Sequence, residues 1–257
     1  MNKRLLWVIL IVITLGVDAL AIDFMGPPTA SLKRGQSKIG YTYHQSESDI
    51  LFNNIELNGV DAGLGEVEIN GIKTTRNYFT YNYGVETDRM EIYGFLGVAD
   101  IKEGELFGED LEYSGGNDFA CGGGIKITTN IYDNADWGIL AQASWLRSED
   151  SQSFDSGKID SEFDAVEIQV AAGPTVKITK DFKVYGGIVG YWLKGEFEEK
   201  ISGDLGSAKL CGDLEQDSAV GGYIGTQIDL FKNVVIAAEF ASTGDSSGFG
   251  VNVAWKF

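Results

Sequence analysis

From residue 38 onward the chain alternates apolar and polar residues at every second position, and the segments that do so are joined by connections that are alternately very short and long. Residues 137–147 are the clearest case: Trp137, Ile139, Ala141, Ala143 and Trp145 fall on one face, Gly138, Leu140, Gln142 and Ser144 on the other. A period of two puts successive side chains on opposite faces of a β-strand. At 163–178, Val166, Ile168, Val170, Ala172, Val176 and Ile178 oppose Glu167, Gln169 and Lys177. At 76–85, Phe79, Tyr81, Tyr83 and Val85 oppose Thr80 and Asn82. Ten such strands are predicted: 38–46, 76–85, 90–99, 119–129, 137–147, 163–178, 182–194, 219–230, 234–241 and 248–257.

The tight links are 86–89, 130–136, 179–181 and 231–233; the long ones are 47–75, 100–118, 148–162, 195–218 and the shorter 242–247. That rhythm belongs to an all-β, antiparallel up-and-down transmembrane β-barrel, with eight or twelve strands as alternatives to ten. The polarity of the faces agrees. A soluble barrel buries its apolar face, whereas here the apolar face lacks charge along most strands and the charged residues share the other. Trp137 and Trp145 stand eight residues apart. At about 3.3 Å rise and a tilt near 40°, that is roughly 20 Å along the membrane normal, close to the ~25 Å between the aromatic girdles of such barrels.

The two ends add a route. Met1-Asn2-Lys3-Arg4, an apolar run over 5–17 and Ala19-Leu20-Ala21 are the three parts of a secretory signal. The run is well short of the roughly 20 residues of a spanning helix. Residues 1–21 are therefore expected to be a signal peptide, cleaved to leave Ile22 first. Residues 22–37, broken by Gly26-Pro27-Pro28, are expected to form a periplasmic N-terminal arm, with a small plug or a folded-back lid as the alternative, and the barrel to span 38–257. The last strand sets Phe249, Val251, Val253, Trp255 and Phe257 outward against Gly250, Asn252, Ala254 and Lys256. It resembles the C-terminal strand by which outer-membrane barrels are recognised for assembly. Together with the leader, the likeness to the outer-membrane β-barrel superfamily covers nearly the whole chain. It implies residence in the outer membrane of a Gram-negative bacterium, contact with outer-membrane lipids and lipopolysaccharide, and passage through the barrel-assembly machinery. Trp137, Trp145, Trp192, Phe249, Trp255 and Phe257 are the expected membrane girdle.

Composition fits this picture, with 34 glycines, 3 prolines and 12% aromatic residues. The net charge of −18 sits mostly in the long connections, which excludes a nucleic-acid partner, since phosphate binding needs clustered Lys and Arg. Two acidic stretches, 103–112 (Glu103, Glu105, Glu109, Asp110, Glu112) and 196–204, offer oxygen ligands to divalent cations that could bridge to lipopolysaccharide phosphates. Neither follows a calcium-loop pattern, so no defined metal site and no cofactor are expected.

The polar faces direct Lys38, His44, Arg76, Glu91, Lys126, Glu167, Lys177, Lys183, Asp229, Glu239 and Lys256 into or near the lumen. They make either a core of paired charges or, given the inward glycines Gly40, Gly84, Gly97, Gly122, Gly124, Gly187 and Gly221, the wall of a narrow pore. His44 and Ser46 stand two residues apart, the spacing of some outer-membrane lipid A deacylases, but no third acid can be matched by motif. Omptin proteases share the strand count, yet their paired aspartates and His-Asp couple are not located here. Cys121 falls on an outward face and Cys211 in a long connection, so their pairing is left open. The expectation is a non-enzymatic outer-membrane protein with acidic extracellular loops, serving membrane structure or surface recognition. A small passive channel comes second and a lipid-modifying hydrolase a distant third.

Overall fold

The computed structural model describes residues 22–63, 65–102, 115–154, 157–203, 206–216, 220–231, 233–244 and 246–257. The signal-peptide segment and the acidic stretch 103–112 lie outside them. Twelve strands are present: β1 (Ser37–Leu57), β2 (Val60–Asp61), β3 (Val67–Glu86), β4 (Met90–Lys102), β5 (Asp118–Tyr132), β6 (Ala135–Phe154), β7 (Gly157–Lys177), β8 (Phe182–Gly203), β9 (Gly206–Glu215), β10 (Val220–Leu230), β11 (Val234–Ser242) and β12 (Ser246–Lys256). Ten of them close an antiparallel ring in the order β1, β3, β4, β5, β6, β7, β8, β10, β11, β12. The seam joins β1 to β12 from Lys38↔Lys256 to Ser48↔Ser246. Closure leaves no free edge in the ring, which lipid requires because it offers backbone groups no partner.

The outer wall carries the apolar belt. Ile39, Tyr41 and Tyr43 on β1, Phe79 and Tyr81 on β3, Ile139 on β6, Val166 and Ile168 on β7, Ile188 and Trp192 on β8, Val253 and Trp255 on β12, and Phe257 just after it are all large, apolar and exposed. An exposed apolar surface this extensive is at home in hydrocarbon. The fold is that of a closed transmembrane β-barrel.

Strands run well past the belt where long loops were expected. β1 continues to Leu57, β3 begins at Val67, β6 reaches Phe154, β7 starts at Gly157 and β8 ends at Gly203. The nine residues of β7 above Val166 lift it roughly 20–25 Å beyond the lipid at about 3.3 Å per residue and the usual tilt. Above the membrane, β9 pairs with the upper half of β8 (Lys194↔Glu215 to Gly203↔Gly206) and with the tip of β1 (Leu51↔Glu215 to Leu57↔Leu210). One strand there replaces the three strands β10, β11 and β12, so the crown is narrower than the barrel below it.

On strands that continue past the belt the two faces exchange character at its upper edge, as β7 shows. On β7 the inward residues are Glu167 and Gln169 within the membrane but Phe163 and Ala165 above it, while the outward ones change from Val166 and Ile168 to Asp164 and Glu162. The crown thus has an apolar core of its own, with Ile50, Phe52, Ile69, Ile72, Phe163, Leu193 and Leu214 all buried. Phe52 packs edge-on against Phe197 at 5.8 Å between ring centres. Each such side chain contributes on the order of 1.5–3 kcal/mol by leaving water.

The N-terminal arm is the main correction. It was expected on the periplasmic side and lies inside the barrel, with Ile22, Asp23, Met25, Thr29, Ala30 and Leu32 all buried. Inward glycines make room for it: a Cβ on Gly138 would strike the Pro28 carbonyl, and one on Gly84 the Lys33 carbonyl. Other inward glycines are covered by aromatic rings, Gly122 by Phe95 and Gly225 by Tyr185. The space that could have been a pore is filled. Both cysteines are free, Cys121 on β5 and Cys211 on β9 rather than in a loop.

Phe52→Ala is expected to cost about 3–5 kcal/mol, as large-to-small changes in packed cores do. Reversible urea unfolding in detergent micelles measures it. A loss under about 1 kcal/mol would mean that the crown lacks a packed interior.

Candidate functional site

Two arrangements in this molecule combine named side chains into something beyond scaffold: the charged interior around the arm and the acidic outer wall of the crown.

The interior is built from the second position of each membrane-level strand. Arg76 on β3 is 2% exposed and reaches Glu167 on β7 with both terminal nitrogens, Nη1 at 2.6 Å from Oε2 and Nη2 against Oε1. Such two-pronged guanidinium–carboxylate pairs are strong and directional. From the arm, Asp23 brings Oδ2 to 3.0 Å from Arg76 Nη1 and Oδ1 to 3.8 Å from His44 Nδ1 on β1. Ser144 Oγ donates to Glu167 at 3.3 Å. Asp23 Oδ1 and His44 Nδ1 both lack a hydrogen-bond partner among the described residues. Each group buried in that state costs about 1–3 kcal/mol.

Nearer the periplasm, Glu91 on β4 accepts from Lys38 (3.3 Å), from Asn82 (2.8 Å) and from the backbone N–H of Ser31 in the arm (3.1 Å). Lys126 on β5 donates to the arm carbonyls of Met25 (2.9 Å) and Pro27 (2.8 Å), and lies over the Tyr93 ring. Glu239 on β11 accepts from the Met25 N–H at 2.9 Å. Thr128 and Thr175 bind Ala30 N–H (2.6 Å) and Thr29 Oγ1 (2.8 Å). Side chains from β4, β5, β7 and β11 therefore satisfy the arm over residues 25–31, as buried backbone requires, while its last residues bond backbone to backbone with β3, Gly35 N–H donating to the Gly84 carbonyl at 2.8 Å and Gly84 N–H to the Gln36 carbonyl at 2.9 Å. Against this wall a cavity of about 50 Å³ remains, lined by Asp23, Met25, Lys126, Tyr93 and Asn252 among others. It has room for a few waters at most.

The predicted lumenal residues are thus brought together in part. His44, Arg76, Glu91, Lys126, Glu167 and Glu239 are fully buried in the interior. Lys183 and Lys256 pair with Asp229 at 3.1 and 3.4 Å near the periplasmic mouth. Lys177 is corrected to the rim, where it is well exposed and pairs with Asp136 at 2.6 Å. Sequence reasoning missed Asp23, whose signal is a lone acid between apolar neighbours in a segment without period. His44 and Ser46 are both buried, and Ser46 Oγ donates to the Thr74 carbonyl at 3.2 Å rather than to the histidine. The predicted girdle residues Trp137, Trp192, Trp255 and Phe257 are exposed on the outer wall. Trp145, also outward, donates to Asp164 at 2.8 Å.

On the crown's outer wall, strand register sets carboxylates side by side: Glu162 beside Glu198, and Asp164, Glu196 and Asp213 in one row across β7, β8 and β9. Directly opposed like charges weaken a sheet. Some are relieved locally, Glu162 by Arg147 (2.8 Å) and Glu215 by Lys194 (2.5 Å). Lys209, on β9, is pushed above its usual range chiefly by its bond to Glu198 (2.6 Å). Among the described residues, no group of three or more His, Cys, Asp or Glu side chains converges to hold a metal ion.

No family model matches the sequence, and neither does any curated protein. The structure is similar to the outer-membrane protease OmpT of Escherichia coli, at 10% identity and a TM-score of 0.48 over 92% of this chain and 99% of that one. It is similar to the translocator domain of the autotransporter NalP from Neisseria meningitidis, at 14% identity and 0.47 over 87% and 88%. It is also similar to Ail, the attachment invasion locus protein of Yersinia pestis, at 15% identity and 0.30 over 87% and 99%. At such values the likeness extends to general architecture and says nothing of activity.

Arg76→Met should cost on the order of 3–5 kcal/mol, because it leaves Glu167 and Asp23 buried without their cation. Arg76→Met combined with Glu167→Gln should recover part of that loss in the same urea titration. Strict additivity of the two substitutions would show that the pair is not coupled.

Proposed function

We propose that this protein is a sealed barrel that anchors a rigid extracellular crown, and that the crown does its work by recognising a cationic surface or basic polypeptide. The reading rests above all on the filled interior. The seated arm and the crown's apolar core above it fill the lumen among the described residues, which supports a closed barrel whose useful surface is the one held outside the membrane. That surface is a β-scaffold with its own core and an acidic face, as rigid recognition platforms have. Like-charge rows such as Asp164, Glu196 and Asp213 weaken the sheet that carries them, and a partner of opposite charge would offset that cost. The apolar belt and girdle are the natural contact with outer-membrane lipid and lipopolysaccharide, and β12 with Phe257 is the natural handle for the assembly machinery.

A passive channel is the second reading, favoured by the charged interior and by the absence of covalent links between the arm and the wall. The two readings separate in planar bilayers and in binding assays on the same protein. Reconstituted full-length protein should give no discrete conductance steps. In nanodiscs it should bind polylysine in a salt-sensitive way and not polyglutamate, with Glu196→Lys combined with Asp213→Lys weakening polylysine binding several-fold. Reproducible single-channel steps from the unmodified protein would reject the sealed-barrel reading. Polylysine binding indifferent to the double substitution would reject the crown as the recognition surface.

A further inference from the structure

The buried charges of the interior do not balance around Arg76. Two carboxylates, Asp23 and Glu167, meet one guanidinium, and all three are at most 2% exposed. The other groups facing this cluster are Ser144, the phenols of Tyr78 and Tyr191, and His44. Asp23 Oδ1 and His44 Nδ1 lie 3.8 Å apart, and both lack a hydrogen-bond partner among the described residues. Immediately before Asp23 stands Ile22, 1% exposed, whose backbone the His44 imidazole also reaches. Ile22 follows Ala19-Leu20-Ala21, the small-x-small pattern of a leader-peptidase site.

We propose that leader removal between Ala21 and Ile22 creates the missing cation. The new Ile22 α-ammonium would be buried in the lumen as the latch that seats the arm, donating to the Asp23 carboxylate and to His44 Nδ1. Water hydrolyses the Ala21–Ile22 amide; the released leader keeps the Ala21 carboxylate, and the Ile22 amine takes up a proton. A single processing step then does two things. It frees the barrel from the inner membrane and supplies one positive charge one residue from Asp23, which shares the Arg76 guanidinium with Glu167. The inference is independent of what the crown recognises.

The test uses protein exported with its own leader and purified from outer membranes. Intact mass and N-terminal sequencing should give Ile22 as the first residue. Reductive dimethylation at neutral pH, read by peptide mass spectrometry, should label the Ile22 α-amine on the order of ten-fold more slowly in folded than in urea-unfolded protein. Lys180, 88% exposed, is the internal control that labels in both states. A second protein, refolded with Gly-Ser placed before Ile22, should still form a barrel by its heat-dependent gel shift but melt lower and lose its arm to limited proteolysis. The proposal is overturned by a first residue other than Ile22, by an α-amine that reacts in the folded protein as fast as Lys180, or by an extended protein with unchanged melting and protease resistance.

Discussion

Ring closure in lipid is the constraint on which the rest of this structure depends. Ten strands that leave no backbone group to the hydrocarbon must also turn their apolar side chains outward, and that sends every polar side chain of the wall into one narrow interior. A ten-stranded lumen is too small to hydrate so many charges separately and too polar to collapse on itself. Arg76 with Glu167, and Lys38 with Glu91, are solutions to that problem between facing strands. The arm is the remaining part of the solution, because Met25, Pro27, Thr29, Ala30 and Ser31 offer backbone and hydroxyl groups where the wall alone has none to offer.

Above the lipid the same strands meet water on the outside, and the physical demand reverses. Phe163 and Ala165 turn in where Glu167 and Gln169 had been, and Asp164 and Glu162 turn out where Val166 and Ile168 had been. Strand register passes through this exchange without a break from Gly157 to Ala172 of β7 against β8. The crown is therefore a continuation of the barrel wall with inverted faces. Replacing β10, β11 and β12 by β9 narrows it until apolar side chains can meet across the middle. A membrane protein and a small water-soluble β-structure share one set of strands, each stabilised by burial of the opposite face.

This arrangement has a functional corollary. A barrel filled by its own N-terminal segment and capped by an apolar core supports the proposed reading of the crown's outer wall as the working surface, where opposed carboxylates weaken the sheet and are relieved only in part, Glu162 by Arg147 and Asp164 by the Trp145 indole. The interior serves as the lock that keeps the wall in place, and Asp23, Arg76 and Glu167 are its centre.

Much of this was legible along the chain. Trp137 to Trp145 and Phe249 to Phe257 mark membrane strands by period two alone, because lipid on one side and a polar lumen on the other impose that alternation on every residue. The inward placement of His44, Arg76, Glu91, Lys126, Glu167 and Glu239 followed from the same parity. The extensions of β1, β6, β7 and β8, and the whole of β9, did not read as strands, since their charged outward faces look like solvated loops when the apolar face is expected outside. Nor did the arm: a segment held by side chains of distant strands has no period, and the partners of Asp23 are 21 and more residues away in sequence. Local alternation fixes which way a side chain points. Only the closed ring decides which charges meet, and only the packed interior decides that a stretch without pattern fills it.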